Sequence, residues 1–201
     1  MLLTIRTLSL IFATVLLVSA CGSSPPVRYY TLSTSSAVTP DDPADAAILG
    51  LGPLDIPEYL NRNQIVTRGN GAELIVNDFS HWAEPLDKAV HRVIAAEVDN
   101  LMSDVVVVPF PYDAVVRTDV DYRLFGKVDR FEADTSGNVV LDIQWTVAIP
   151  GVRMILPPRR SSYEARATSA GDPGSVAAAM DETLRQFSRD IAARLGPVLQ
   201  E

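Results

Sequence analysis

The 201-residue chain contains a single cysteine, Cys21, and this count limits how the protein can be stabilised. A lone cysteine cannot form a disulfide within its own chain, so a hydrophobic core has to hold the fold together. Hydrophobic residues make up 47% of the chain and charged residues 21%, the proportions of an ordinary globular protein. We therefore expect one domain with a conventional core, and a cysteine that serves another purpose.

The cysteine directly follows a leader of the secretory type. Arg6 carries its one charge, residues 8–18 form an apolar run of eleven, and Ser19 and Ala20 are small. At ~1.5 Å per residue this run is too short to cross ~30 Å of hydrocarbon, and its length is typical of a signal peptide. We predict that residues 1–20 are cleaved. An uncleaved N-terminal anchor is the alternative.

Cys21 is the predicted site of lipid attachment. Val18-Ser19-Ala20-Cys21 resembles the bacterial lipobox, in which the cysteine thiol receives a diacylglycerol through a thioether. Two or three acyl chains give stable anchoring where one would be marginal. Gly22, in place of the aspartate that commonly retains such proteins at the inner membrane, favours the outer membrane. The predicted organisation is a signal peptide (1–20), a lipidated tether (21–26) and a periplasm-facing domain (27–201).

Apolar periodicity predicts an α+β fold: a mixed, largely antiparallel sheet with two main amphipathic helices packed on one face. One helix is expected over 85–102, with an apolar stripe that ends at Leu101, and a second from Pro173 to a stop at Gly196-Pro197. Strands are expected at 27–33, 48–56 (broken by Pro53), 64–68, 73–77, 105–108, 121–133, 138–149 and 159–168, the last near an edge.

The sequence lacks the patterns that catalysis or cofactor binding would need. It has no phosphate-binding glycine motif, no H-E-x-x-H and no G-x-S-x-G. Its two histidines are expected to be structural, His81 beside Trp82 at a helix start and His91 on the polar face of that helix. Asp181-Glu182 is interpreted as helix-start charge. We predict no enzyme activity, no cofactor and no metal, and the net charge of −8 without a basic cluster argues against nucleic acid.

A surface for partners is the remaining possibility. Tyr59 and Leu60 fall on a predicted turn and Trp82 at a helix start, so these three residues are the candidate interface. The alternative is that they cap the core.

Three stretches in order resemble the ABC-transport auxiliary lipoproteins, the PqiC family. The first is Cys21-Gly22-Ser23-Ser24-Pro25 with Tyr29-Tyr30-Thr31-Leu32. The second runs from Ile56-Pro57-Glu58-Tyr59-Leu60-Asn61-Arg62 through Asn63-Gln64-Ile65-Val66-Thr67-Arg68. The third is Trp82-Ala83-Glu84-Pro85-Leu86. The half from Val105 onward matches only in its pattern of strands and final helix.

The resemblance implies an outer-membrane accessory lipoprotein of an MCE/ABC-type phospholipid transport system. Such a protein is expected to dock an MCE-family periplasmic protein, to assist ABC-type transport components and to form a ring-shaped homo-oligomer. It implies no catalytic residues. A lipid-binding periplasmic shuttle or acceptor is the alternative, and an envelope hydrolase is a third class, for which no base–nucleophile pair can be named.

Overall fold

The computed structural model describes residues 24–34, 46–111 and 120–199. Within these ranges the chain forms eight strands and two helices. In chain order they are β1 (Arg28–Tyr30), β2 (Ala47–Asp55), β3 (Gln64–Arg68), β4 (Leu74–Trp82), α1 (Leu86–Leu101), β5 (Val105–Pro109), β6 (Tyr122–Asp134), β7 (Asn138–Ile149), β8 (Arg153–Arg166) and α2 (Pro173–Leu199).

All eight described strands belong to one sheet, which branches at β6. One path runs β1-β4-β3-β6-β2-β5, and β7 and β8 extend from β6 on a second path. Four pairings are parallel (β1–β4, β2–β5, β2–β6 and β3–β6) and three are antiparallel, among them the long β6–β7 and β7–β8 ladders. The predicted α+β class with a mixed sheet is confirmed. The sheet contains more parallel pairings than the largely antiparallel sheet that was predicted, although its two longest ladders are antiparallel.

The core lies between one face of this sheet and the two helices. Alternate residues of β7 from Val139 to Val147 point to this face and are buried. Trp145 among them meets Phe187 of α2 edge-to-face, with ring centroids 5.4 Å apart. The predicted stripe of α2 is buried along its whole length, whereas the last member of the α1 stripe, Leu101, is 47% exposed.

Several boundaries differ from the sequence prediction. β1 is shorter than predicted and ends at Tyr30. β4 continues five residues past its predicted end, to Trp82, so His81 and Trp82 lie on a strand and not at a helix start. β2 continues through Pro53 by means of a register shift against β6 between Leu51 and Leu54, so the proline does not break it. β8 begins at Arg153, six residues early, because β7 supplies a pairing partner as far as Ile149. α2 runs past Gly196-Pro197 to Leu199, since a proline in a last turn removes only one hydrogen bond.

Candidate functional site

The predicted signal peptide and Cys21 lie outside the described residues. The described chain starts at Ser24, three positions after the cysteine, and reaches the sheet at Arg28. β1 has β4 as its one partner strand in the described part of the sheet, so it forms an edge. The first described residues, 24–27, therefore lead into an edge strand of the sheet.

Tyr59, the first residue of the candidate interface, contacts a buried ion pair. Glu132 alternates with Phe131 and Ala133 along β6, so it faces away from the helices, and it is 2% exposed. Arg68 donates to its Oε1 from Nη2 at 2.7 Å and from Nε at 3.0 Å. The Tyr59 hydroxyl donates to Oε2 at 2.9 Å. The three side chains join the turn after β2 to β3 and β6.

Burial and hydrogen bonding shift the pKa values of Tyr59 and Arg68 in this triad. Burial, followed by the hydrogen bond to the Glu132 carboxylate, raises the pKa of the Tyr59 phenol to about 12. The hydrogen bond to Glu132 also raises the pKa of Arg68. The Tyr59 hydroxyl and the Arg68 guanidinium donate hydrogen bonds and the two oxygens of Glu132 accept them, so the donors and acceptors of the group match. It has the character of a structural clamp.

The other two candidate residues are buried in the chain itself. Leu60 is 2% exposed and Trp82 is 6% exposed, and both belong to the hydrophobic core. Tyr59 is only partly buried. The positions of Leu60 and Trp82 favour the core role that the sequence had left open.

The three family-like stretches meet around β1 and the start of α1. The amide of Ala83 donates to the carbonyl of Tyr30 at 2.7 Å, which joins the first stretch to the third. The amide of Trp82 donates to the carbonyl of Asn63 at 2.6 Å, which joins the third to the second. Residues that are up to 53 positions apart thus form one structural unit, as the bond from Thr31 to Glu84 also shows.

An ion pair closes this unit on its helical side. Arg92 of α1 contacts Glu84 at 2.5 Å and donates to the carbonyl of Leu32 at 2.8 Å. The hydrogen bond from Arg92 holds the pKa of Glu84 below its usual value. Leu32 itself is fully buried. The third stretch therefore positions the N-terminal segment against α1.

Asp181 provides a second tie, which the sequence did not reveal. The interpretation of Asp181 as helix-start charge is wrong, because the residue lies two turns into α2 and is 8% exposed. Its two carboxylate oxygens accept the amide of Ser33 at 3.0 Å and the hydroxyl of Ser33 at 2.9 Å. Burial raises its pKa above the usual value despite these bonds. Since Ser33 is 148 positions away, no local pattern could have predicted the contact.

The histidines have structural surroundings. The placement of His91 on a polar helix face is wrong: it is 6% exposed, its Nε2 lies 3.0 Å from the amide of Leu54, and its Nδ1 lies 2.6 Å from the carbonyl of Asp87. The amide can only donate, so Nε2 accepts and Nδ1 carries the proton. His81 stacks edge-on against Tyr29. No cluster of three potential metal ligands occurs in residues 24–34, 46–111 and 120–199.

Two exposed apolar groups were not predicted from the sequence. The first group consists of Val27, which directly precedes β1, Tyr29 on β1, which is 68% exposed, and Phe79 on the neighbouring strand β4. Val152 and Met154, in the turn between β7 and β8 and the start of β8, are 73% and 56% exposed. Both groups occur where the alternation of polar and apolar residues is irregular, which is the one signal that the sequence offered.

A cavity of about 420 Å³ opens between the C-terminal ends of the two helices and the start of β2 and β5. Its lining includes the apolar side chains of Leu101, Met102 and Leu199 together with the polar Ser103 and Asp104. This volume is in the range of small-molecule sites, ~300–1,000 Å³.

None of the helices in the described ranges is both long enough and apolar enough to cross a membrane.

The family model described as ABC-type transport auxiliary lipoprotein component matches residues 30–192. None of the curated proteins matches the chain significantly.

Two solved structures have a similar fold. A crystal structure of an uncharacterized protein aligns with a TM-score of 0.70 and 20% identity, over 85% of this chain and 99% of the other. That of protein XCC0632 from Xanthomonas campestris aligns with a TM-score of 0.66 and 19% identity, over 87% of this chain and 100% of the other. Both likenesses concern the fold.

Proposed function

Since the chain belongs to the family of ABC-type transport auxiliary lipoprotein components, we propose that it is the outer-membrane accessory lipoprotein of an MCE/ABC-type phospholipid transport system. In this role it is a docking module in the periplasm that helps to maintain envelope integrity. The observation that carries the proposal is the family match, which spans β1 to most of α2 and includes the interlocked unit around β1, Asn63, Trp82 and Glu84.

The proposed mode of action is contact rather than catalysis. The titratable groups with well-defined partners, such as Glu132 and Asp181, have those partners within the fold and connect distant elements. The proposed partners are an MCE-family periplasmic protein, ABC-type components and further copies of this chain in a ring, without nucleic acid. Of the three candidate interface residues, Tyr59 stays a proposed contact residue because it is only partly buried, and Leu60 and Trp82 are assigned to the hydrophobic core.

The proposed anchor is the acylated Cys21 after removal of residues 1–20, with residues 21–26 as its tether. Ser24 to Val27 are exposed and lead into an edge strand, as a tether to a membrane requires. Acylation would hold the domain beside one membrane, where its other surfaces remain open to periplasmic partners.

Affinity purification of the tagged full-length protein from detergent-solubilised membranes tests this function. Mass spectrometry should identify MCE or ABC subunits that are enriched over those recovered with an unrelated tagged outer-membrane lipoprotein. Recovery of neither class of subunit would count against the proposal.

The cavity between the helix ends favours a second candidate, a lipid-binding shuttle or acceptor. Its apolar wall, formed by Leu101, Met102 and Leu199, could cover part of an acyl chain, and Ser103 and Asp104 lie at its polar side. Native mass spectrometry of the non-acylated domain should then detect co-purified phospholipid. A lipid-free spectrum would remove this candidate.

A further inference from the structure

The hairpin formed by the end of β7 and the start of β8 exposes apolar side chains at its tip. Val152 in the turn is 73% exposed and Met154 is 56% exposed, and Pro157 and Pro158 further along β8 are also exposed. Large apolar side chains that cluster in solvent mark interaction sites more often than isolated ones do. The exposed apolar side chains of this hairpin tip, residues 149–160, therefore indicate an interaction site and not a role in the core.

The same hairpin is locally basic in an acidic protein. Residues 143–163 contain Arg153, Arg159 and Arg160 and no aspartate or glutamate, whereas the whole chain has a net charge of −8. Arg159 lies over the ring of Trp145, 5.7 Å from its centroid, and thus belongs partly to the core. Arg153 and Arg160 are exposed, and neither has an ion-pair partner within the described ranges. The tip therefore presents apolar groups with a positive rim.

The hairpin is unsuited to binding by strand addition. β8 is an edge strand, yet its pairing with β7 is irregular between Trp145 and Ala148, and Pro157 and Pro158 offer no backbone N–H. Proline and irregular pairing are common means of blocking a sheet edge. A partner of this hairpin would therefore contact its side chains.

The position of the hairpin argues for a protein rather than the anchoring membrane. β1, which leads to the proposed anchor, and β8 lie at opposite edges of the sheet. Positions along the strands can be compared through the pairing with β6. The hairpin tip lies near the start of β6, because Ala148 pairs with Arg123, whereas β3 pairs with the end of β6, at Ala133 and Asp134. At ~3.3 Å per residue, the ten residues from Arg123 to Ala133 separate these levels by about 33 Å. β1 lies near the second level, because Tyr29 pairs with His81, which pairs with Gln64 at the start of β3. The tip and the anchored segment thus occupy diagonally opposite corners.

We infer that the β7–β8 hairpin tip is the surface through which this protein docks a protein partner that presents acidic groups around an apolar patch. The inference rests on the proposed function, in which that partner is the periplasmic subunit of the transport system. Charge complementarity guides the approach and orientation of such a partner, and Val152 and Met154 provide the apolar contact.

Site-specific photocrosslinking of the full-length lipoprotein in the native envelope tests this surface. A photoreactive phenylalanine analogue is introduced at Val152 or, as the matched control, at Ser136, an exposed residue in the β6–β7 turn at the other end of the sheet. We expect the MCE-type subunit to be captured from position 152 and not from position 136. The double variant Arg153→Glu/Arg160→Glu should reduce this capture roughly tenfold, as loss of a docking charge pair typically does, without a change in thermal midpoint.

The outcomes separate the inference from the function on which it rests. Capture of the MCE-type subunit from Ser136 alone would leave the function intact and overturn the hairpin surface. Capture of only lipid or a second copy from Val152, or unchanged capture in the charge-reversed variant, would overturn it too. Affinity purification without any transport subunit would contradict the proposed function itself.

Discussion

At Glu132 a carboxylate occupies a buried position of a strand, and two side chains from elsewhere in the chain make this possible. Arg68 neutralises its charge and Tyr59 donates to its second oxygen. The arginine side chain keeps 29% of its surface in contact with solvent, which screens part of the attraction. The Glu132 side chain is only 1% exposed, so its oxygens depend on donors from the protein. Arg68 donates to Oε1, whereas Oε2 accepts both the Tyr59 hydroxyl and the backbone amide of Phe131, the latter at 3.2 Å.

We expect Glu132→Ala to lower the free energy of unfolding by about 2–3 kcal/mol, since it leaves a partly buried arginine and a phenol without their acceptor. Tyr59→Phe should cost about 1 kcal/mol, the usual contribution of one hydrogen bond. Urea unfolding of the chain from Gly22 onward measures both. Glu164→Gln, at an exposed glutamate of the neighbouring β8, is the control and should stay within ~0.5 kcal/mol of the native chain. An equal effect in all three variants would disprove the clamp.

Asp181 should make the free energy of unfolding depend on pH. Because burial raises its pKa in the folded state, the folded protein binds a proton more tightly than the unfolded one, whose carboxyl has a pKa of about 3.9. Stability should therefore fall as pH rises from about 4 through the raised pKa of the folded state.

The variant Asp181→Asn should lack this component, because an amide does not titrate while it can still accept the Ser33 amide. Urea unfolding at several pH values from 4 to 7 measures the difference between the two chains. A difference that stays constant over this range would contradict the raised pKa.

At the scale of elements, β6 and β7 approach each other closely at Gly126. A Cβ at this position would collide with the carbonyl oxygen of Gln144, an atom of the β7 backbone that cannot rotate away. Only a residue without a side chain fits here, because Gly126 pairs closely with Trp145 of β7, whose ring lies in the core.

Gly126→Ala should destabilise the fold by about 1–3 kcal/mol, the usual cost of overpacking. Gly171→Ala is the matched control, because an added Cβ there has no atom within 4 Å, and its effect should be within ~0.5 kcal/mol. Thermal or urea unfolding compares them. Equal stability of the two variants would show that β7 can shift to make room.

The elements that the sequence predicted are those with a local signal. The sequence predicted the helix α2 and the strands β6 and β7, since the spacing of their apolar residues matches the faces that are buried. What the sequence could not provide comes from contacts between distant segments. The parallel pairs of β2 with β5 and β6, the acceptor role of His91, and the Ser33–Asp181 bond have no short-range pattern. The sequence predicted the candidate interface least well. Leu60 and Trp82, which were candidates, are core residues, whereas the exposed Val152 and Met154 were not predicted.

At the scale of the whole molecule, the sheet separates the segment that leads to the proposed anchor from the proposed docking surface. The segment that leads to Cys21 joins at one edge through β1, and the basic hairpin lies at the opposite edge and the other end. The unit around Asn63, Trp82 and Arg92 and the Ser33–Asp181 bond hold the N-terminal segment firmly on the domain. In the proposed function, an anchor at Cys21 would therefore also orient the domain for docking.

The central claim, that a membrane-anchored module acts by docking a transport system, is tested most directly by comparing the native protein with Cys21→Ser. The measurement is the amount of MCE and ABC subunits recovered per molecule of tagged lipoprotein from crosslinked envelopes. We predict clear recovery with the native chain and a loss of at least roughly tenfold with Cys21→Ser, because the variant lacks the anchor that concentrates the domain at the membrane surface where its periplasmic partner is proposed to dock. Recovery that is equal for the two chains, or absent from both, would contradict the account.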